Sequence, residues 1–408
     1  MATIKDFKAL RPVKEKAGEV ASVPYDVVDR EEAKKLAEGN PYSFLHVIRP
    51  EIDLPEGIDP YDESVYKKAK ENLDKLIEEG ILFDDNESAI YLYKISAGDH
   101  SQIGIAACYS VDEYDRGIIK KHELTRKDKE DDRVKHMLTL RAHTGPVLLT
   151  FRSNDKINNL INKLSNNIEP LYDFTADDGV RHTLWKVTEC SELKEYFSEL
   201  ESLYIADGHH RAAGASRVQK ELLKEIKNPT GEEEFNYFLA VAFPDSQLKI
   251  YPYNRYIKDL GGLTPDTLIE KISQKFEVIE NGNPEPNRKG IFSMYIQGKW
   301  YEIHIPDKYY DKNDPVKSLD LSVFQEHILE PLFNITDQKR DKRIDFVGGP
   351  GSPEKLKKRV DAEGGVAFTF YPVSIEELMA VADAGKIMPP KSTWFAPKLR
   401  SGLLIHRF

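Results

Sequence analysis

Cysteine is nearly missing from this chain: Cys108 and Cys190 are the only two in 408 residues. Two thiols cannot build a disulfide framework, and both read as small buried hydrophobes. Long apolar runs are missing too. No stretch approaches the ~20 residues of a membrane span, and the first residues, MATIKDFKALRPVK, lack the apolar centre of a secretory signal. There is no basic excess. Lys and Arg number 58 against 69 Asp and Glu, a formal net charge of −11. A chain that grips nucleic acid shows a basic face, so this balance counts against that partner. Internal repeats, a dinucleotide fingerprint, a kinase signature set and a Gly-x-Ser-x-Gly elbow are all absent. The composition that remains, 40% hydrophobic and 31% charged, is that of a reduced, cytoplasmic globular protein with room for two or three domains.

What is present is a mixture of periodicities. Helical spacing predicts helices over 30–38, 64–79, 157–164, 191–200, 211–226, 266–276, 320–329, 353–362 and 374–384, with a very polar one running to about His143. Strands are predicted over 44–50, 89–95, 103–109, 147–151, 171–175, 182–187, 204–206, 236–243, 248–251, 290–296, 299–305, 344–346 and 366–371, several of them paired as hairpins. Hairpins mixed with helices imply an α+β protein with a mixed sheet, not a doubly wound parallel one. Gly261-Gly262 with Thr264-Pro265 marks a boundary. The expected division is 1–260 as the main domain, 261–372 as a smaller C-terminal α/β domain, and 373–408 as a helix and irregular tail packing back on the body. Gly348-Gly349-Pro350-Gly351-Ser352 looks like a phosphate loop but lacks the Lys-Ser/Thr that completes one. It reads as a turn, with Ser352 capping the next helix.

The most informative stretch is Ala206-Asp207-Gly208-His209-His210-Arg211. It joins a buried strand to a helix, with Gly208 at the turn. Three side chains that can carry positive charge crowd a helix N-terminus that is already positive. That excess points to an anion, and phosphate is the commonest candidate. Asp207 has several possible duties: orienting a histidine, holding magnesium through a substrate phosphate, serving as general base, or simply capping the helix. Zinc fits poorly, because adjacent histidines point differently and no third ligand has the spacing.

Other candidates are weaker. His122 and Glu123, at the exit of an apolar strand, suit acid–base chemistry, and Arg133 lies on the helix beyond. The run Arg126–Asp132 reads as a wet surface. Arg49, on the strand expected at 44–50, either reaches an anion or makes an edge salt bridge. Lys391 and Lys398 flank Ser392-Thr393-Trp394-Phe395-Ala396-Pro397, a segment too apolar to fray, and either line an anionic pocket or only pack.

Taken in order, Arg11-Pro12, the run Phe44–Glu51, Lys121-His122-Glu123-Leu124-Thr125 with Arg133, Ala206–Arg211 and the run Lys391–Lys398 resemble the bacterial and archaeal domain-of-unknown-function family 1015 over nearly the whole chain. The Asp-Gly-His-His-Arg motif is also similar to that of the free-serine kinases built on the ParB/sulfiredoxin-like fold. That resemblance implies a mixed-sheet core of that fold with insertions. It implies phosphate contacts from Gly208, His209, His210 and Arg211, with Asp207 beside the transferred group, and Mg2+ with ATP or ADP as cofactors. Those kinases take their base from a glutamate in an N-terminal segment; Glu51 and Glu123 are the candidates, and the flanking His122 and Thr125 favour Glu123. Members of family 1015 are often encoded beside serine-biosynthesis enzymes, which implies serine or phosphoserine as the small molecule. The alternatives are a non-enzymatic nucleotide-sensing or DNA-associated ParB-like module, and a sulfiredoxin-type redox enzyme. The last would need a cysteine in the turn.

Overall fold

The computed structural model describes residues 2–408. They form two compact units, Met1–Leu248 with Pro397–Phe408, and Lys249–Ala396.

The first unit is organised by a large mixed sheet. Its strands run in the order Ile119–Lys120, Leu203–Asp207, Val147–Phe151, Tyr237–Pro244, His100–Ser110, Ile90–Ala97, Arg181–Val187 and Tyr172–Thr175, with Ile4–Lys5 added against His100–Ser110. Two pairings are parallel: Leu203–Asp207 with Ile119–Lys120, and Tyr237–Pro244 with Val147–Phe151. The α+β class and the mixed sheet are therefore as the hairpin pattern implied. Leu92, Ile105, Leu149, Ile205 and Ala240 project from successive strands into one buried cluster with Phe197. Strand approach is close at its centre, where a Cβ on Gly104 would stand 2.7 Å from the Ala242 carbonyl oxygen. Two helices frame the region of interest, Lys127–Leu140 and His209–Leu223. A Cβ on Gly214 would lie 3.0 Å from Met137 Cε and 3.2 Å from Arg133 Cβ, so these helices meet almost backbone to side-chain root. A four-stranded sheet of Leu82–Asp84, Ala9–Pro12, Ile405–Arg407 and Ala142–His143 ties both ends of the chain into this unit.

The second unit holds a six-stranded antiparallel sheet ordered Glu277–Glu280, Lys299–His304, Ile291–Ile296, Val366–Phe370, Tyr253–Ile257, Ile344–Gly348. Tyr253–Ile257 sits inside that sheet, so the division falls at 248/249 rather than at 260/261. The Gly261-Gly262 pair is a turn within the unit. The expected tail 373–408 also divides. Its first part stays with the second unit, where the fully buried Arg255 donates to the carbonyls of Tyr253, Pro390 and Lys391 and to Gln338 Oε1 at 2.7–3.1 Å.

Three local expectations fail. Residues 44–50 are not a strand: Leu45–Ile48 is a single helical turn followed by a 3-10 turn at Pro50–Asp53. Leu45, Val47 and Ile48 are all buried, so the run has no alternation to distinguish the two forms. Asp132 is buried, not wet, because it neutralises Arg133. Ser352 does not cap its helix. The cap position is Gly351 with no side-chain bond, and Ser352 Oγ instead accepts from Asn254 Nδ2 at 2.8 Å.

Candidate functional site: the strand–turn–helix at 203–223

The strand Leu203–Asp207 shifts register against Val147–Phe151 between Ile205 and Asp207. A bulge of this kind re-aims the side chain that follows, and here that side chain is Asp207. Gly208 then turns the chain with φ = 95°. The helix His209–Leu223 starts with no side-chain cap. Asp207 is not the cap: its Oδ1 accepts from the N–H of Gly208 at 2.9 Å, and its Oδ2 accepts from Lys398 Nζ at 2.8 Å. Burial alone would raise this carboxyl, but Lys398 and then Arg211 outweigh it and hold the group well below the usual carboxylate range.

The charge at this helix start differs from the sequence expectation. His209 and His122 are both buried, with ring centroids 4.5 Å apart and edge to face. Burial pushes His122 down to about 3, and His209 down to about 3 against the opposing pull of Asp207. Both rings are neutral at pH 7, so the lasting positive charge comes from Arg211 and Lys398. His210 Nε2 accepts from the backbone N–H of Arg126 at 3.1 Å, which places a neutral ring's proton on Nδ1. Glu123 Oε2, about one-third exposed, stands 3.9 Å from His209 Nδ1.

Arg211 is 8% exposed. It donates through Nη1 to the Pro146 carbonyl, and its Nη2 lies 4.0 Å from Asp26 Oδ2. The guanidinium lies against the turn itself, so a Cβ on Gly208 would be 3.0 Å from its central carbon. Three buried nitrogens here have no hydrogen-bond partner: Arg211 Nε, His209 Nε2 and His122 Nδ1. Behind Arg211, Arg133 Nε and Nη2 donate to Asp132 Oδ2 at 2.9 and 2.6 Å, and its guanidinium lies 3.8 Å from the Tyr25 ring centre. Arg133 and Arg211 share the lining of a small cavity of about 20 Å³ with Tyr25, Thr144 and Ser401.

The structure thus brings together Asp207, Gly208, His209, His210, Arg211, His122, Glu123 and Lys398, with Arg133 on the wall behind Arg211. Arg49 Nε lies 3.0 Å from Glu51 Oε1, and its neighbour Ile48 lines the same cavity as Arg133 and Arg211. Lys391 belongs to the second unit, over the ring of Tyr253. Sequence reasoning missed Tyr25, Asp26 and Ser401. Nothing local in the sequence marks Tyr25 and Asp26 as neighbours of two arginines so far along the chain. Among the described residues, no group of three or more His, Cys, Asp or Glu is placed to hold a metal ion, and no helix is long and apolar enough to cross a membrane.

Fold and site define an α+β protein on a large mixed sheet, with a charged strand–turn–helix at a strand end. The chain belongs to the family described as protein of unknown function (DUF1015), whose model matches residues 4–322. No curated protein matches it. Among solved structures, a free serine kinase in complex with AMP is similar at 14% identity and a TM-score of 0.38, covering 74% of this chain and 91% of that one. A conserved hypothetical protein from Pyrococcus furiosus is similar at 17% identity and a TM-score of 0.37, covering 74% and 94%. SbnI with a C-terminal truncation, from Staphylococcus aureus, is similar at 12% identity and a TM-score of 0.38, covering 74% and 87%.

Proposed function

We propose that the 207–211 turn is the phosphate-gripping element of a small-molecule phosphoryl-transfer enzyme acting on serine or phosphoserine, either a nucleotide-dependent serine kinase or a phosphoserine phosphatase. One observation carries the reading: a buried guanidinium, Arg211, with an unpartnered Nε, set behind the uncapped N-terminus of a 15-residue helix. An anion at that position gains charge-assisted bonds and the favourable end of the helix dipole. Neutral His209 and His122 offer ring nitrogens without adding charge. The choice of serine rests on the resemblance of Asp-Gly-His-His-Arg to the free-serine kinases. With it goes the reading of the mixed sheet as a ParB/sulfiredoxin-like core with insertions.

The roles follow from the electrostatics. In the kinase direction the serine hydroxyl oxygen bonds to the terminal phosphorus of ATP or ADP as the bond to the leaving phosphate oxygen breaks. Glu123, partly exposed beside His209, takes the hydroxyl proton. Asp207 is a poor proton acceptor, because a carboxyl held so low stays ionised at working pH. It suits a magnesium ion instead. No all-protein metal cage is present among the described residues, so such an ion would share Asp207 with nucleotide phosphate oxygens, the usual habit of magnesium. Arg133 braces the wall behind Arg211.

The test is an assay of phosphate transfer with ATP or ADP plus serine, and separately of phosphate release from phosphoserine. Arg211→Ala should weaken ADP or phosphate binding by ~1.5–3 kcal/mol, the scale of a hydrogen bond to a charged group, with the fold retained. Absence of turnover in both assays, with no binding of ADP or phosphoserine, overturns the proposal. Salt-dependent retention on DNA would favour the ParB-like binding module instead.

A further inference from the structure

We infer that Lys398 is a phosphate-responsive positioning residue: Asp207 holds its ammonium until a phosphate arrives, the ammonium then moves to the phosphate, and its departure releases the Asp207 carboxylate to the reaction. This rests on the phosphate reading of the turn and says how the site is armed.

Both carboxylate oxygens of Asp207 are engaged as the site stands. Oδ1 takes the Gly208 N–H at 2.9 Å and Oδ2 takes Lys398 Nζ at 2.8 Å. In that state one lone pair on each Asp207 oxygen is taken, and the ammonium on Oδ2 opposes the approach of a metal ion. A phosphate seated at the start of the helix, against Gly208 and Arg211, lies beside this ion pair and competes for the same ammonium. It carries close to two negative charges at pH 7 against the single charge of the carboxylate. The competition therefore favours transfer of Lys398 to the phosphate. The lysine is built for it: a compact ammonium on a flexible four-carbon stem can change partner without backbone motion.

The backbone beneath it is fixed. Ser401 and Ser22 exchange two backbone hydrogen bonds of 2.9 and 3.1 Å. The Arg400 N–H donates to the Tyr93 hydroxyl at 3.3 Å. Gly402 is pressed on Phe44 so closely that a Cβ would lie 2.6 Å from the ring. His406 Nε2 lies 2.8 Å from Glu234 Oε2. A segment fastened at so many points within the first unit, and lying beyond the residues matched by the family model, sets the Lys398 ammonium against Asp207.

Titration calorimetry with inorganic phosphate at pH 7 tests this on the full chain, with circular dichroism as the fold control. Lys398→Met should bind phosphate ~tenfold more weakly, the effect of one charge-assisted hydrogen bond, and Lys398→Arg should recover most of that loss. Asp207→Asn removes the carboxylate that holds Lys398 and should bind phosphate more tightly than the wild type, while losing turnover. The double variant Lys398→Met/Asp207→Asn should bind as weakly as Lys398→Met. If it regains wild-type affinity, Lys398 is only a counter-ion and the inference falls. It falls equally if Asp207→Asn weakens phosphate binding. Should Lys398→Met fail to fold, the Asp207→Asn measurement decides alone, since the amide keeps an acceptor for Gly208. Arg211→Gln separates the two levels: wild-type phosphate affinity in that variant removes the phosphate reading itself, whereas weakened binding there with unaltered Lys398→Met removes only the exchange.

Discussion

Gly208 answers two demands. Its φ of 95° lies where a side chain is strained, and the space a Cβ would take is filled by the Arg211 guanidinium at 3.0 Å. Gly208→Ala should therefore cost ~1–2 kcal/mol from backbone strain, read as a lower urea midpoint. It should also weaken ADP or phosphate binding, because Arg211 must shift away from the turn. Unaltered binding in a folded Gly208→Ala protein would mean that Arg211 does not face the ligand. The sequence makes this turn legible, since Gly between a strand end and a helix start is a local signal. It does not make the charge legible. His-His-Arg reads as three cations, yet His209 is neutral because burial beside His122 costs more than Asp207 returns. The partner that sets the burial arrives from another strand end, and the partner that sets Asp207 arrives from the tail. No window of sequence contains either.

Among the elements, the two helices that carry the site cross with almost no space between them. Gly214 makes that possible, facing Met137 Cε at 3.0 Å and Arg133 Cβ at 3.2 Å. A small residue gains helix propensity over glycine, by ~1 kcal/mol for alanine, and the end of Met137 can bend away. A large one cannot be accommodated. Gly214→Leu should cost ~1–3 kcal/mol as overpacking and push Arg133 out of its bonds with Asp132. Denaturant unfolding reads the first effect, and a fall in ADP affinity reads the second. A Gly214→Leu protein as stable as the wild type would show that the helices part freely. Most elements were legible because their apolar runs and faces are strong, as in the buried run 147–151 and the apolar face of 63–78. The failures have physical causes. Leu45, Val47 and Ile48 are buried and His46 only partly so, and three apolar residues in four carry no period. The glycine pair at 261–262 signals a turn but not which unit owns it. The strap at 23–28 has neither period nor partner until the fold brings Tyr25 onto Arg133.

For the whole molecule, buried histidines set the response to acid, and they are confined to one unit. His122, His182 and His209 are pushed down to about 3 and His136 to about 4, in each case chiefly by burial. His143 and His406 move in the same direction. In the unfolded chain these rings bind protons near pH 6.5. Below that pH the unfolded state holds more protons than the folded one, so stability falls as pH drops, by up to ~1.4 kcal/mol per pH unit for each fully shifted group. His46 opposes this, its value raised by the bond to Asp53, but it is one ring against six. The depressed carboxylates add nothing until below about pH 4.5, where their unfolded forms protonate. The second unit contains none of these six rings. Its buried Asp320 is raised to about 6 by burial, and the sign reverses there: the folded state binds the extra proton, so its contribution is present at low pH and is lost as pH rises through 6. Between pH 6.5 and 4.5 the first unit should therefore weaken steeply while the second does not. Hydrogen exchange followed strand by strand reads the two separately. Protection in Val147–Phe151, Leu203–Asp207 and Tyr237–Pro244 should fall across that window, while protection in Ile291–Ile296 and Val366–Phe370 holds. With total domain stabilities of ~5–15 kcal/mol, the four rings pushed down to about 3 or 4 are enough to weaken the first unit severely above the pH at which carboxylates titrate. A first unit unaffected down to pH 4.5 would mean that these histidines are already charged in the folded protein. The neutral ring assigned to His209 in the phosphate site would fall with them.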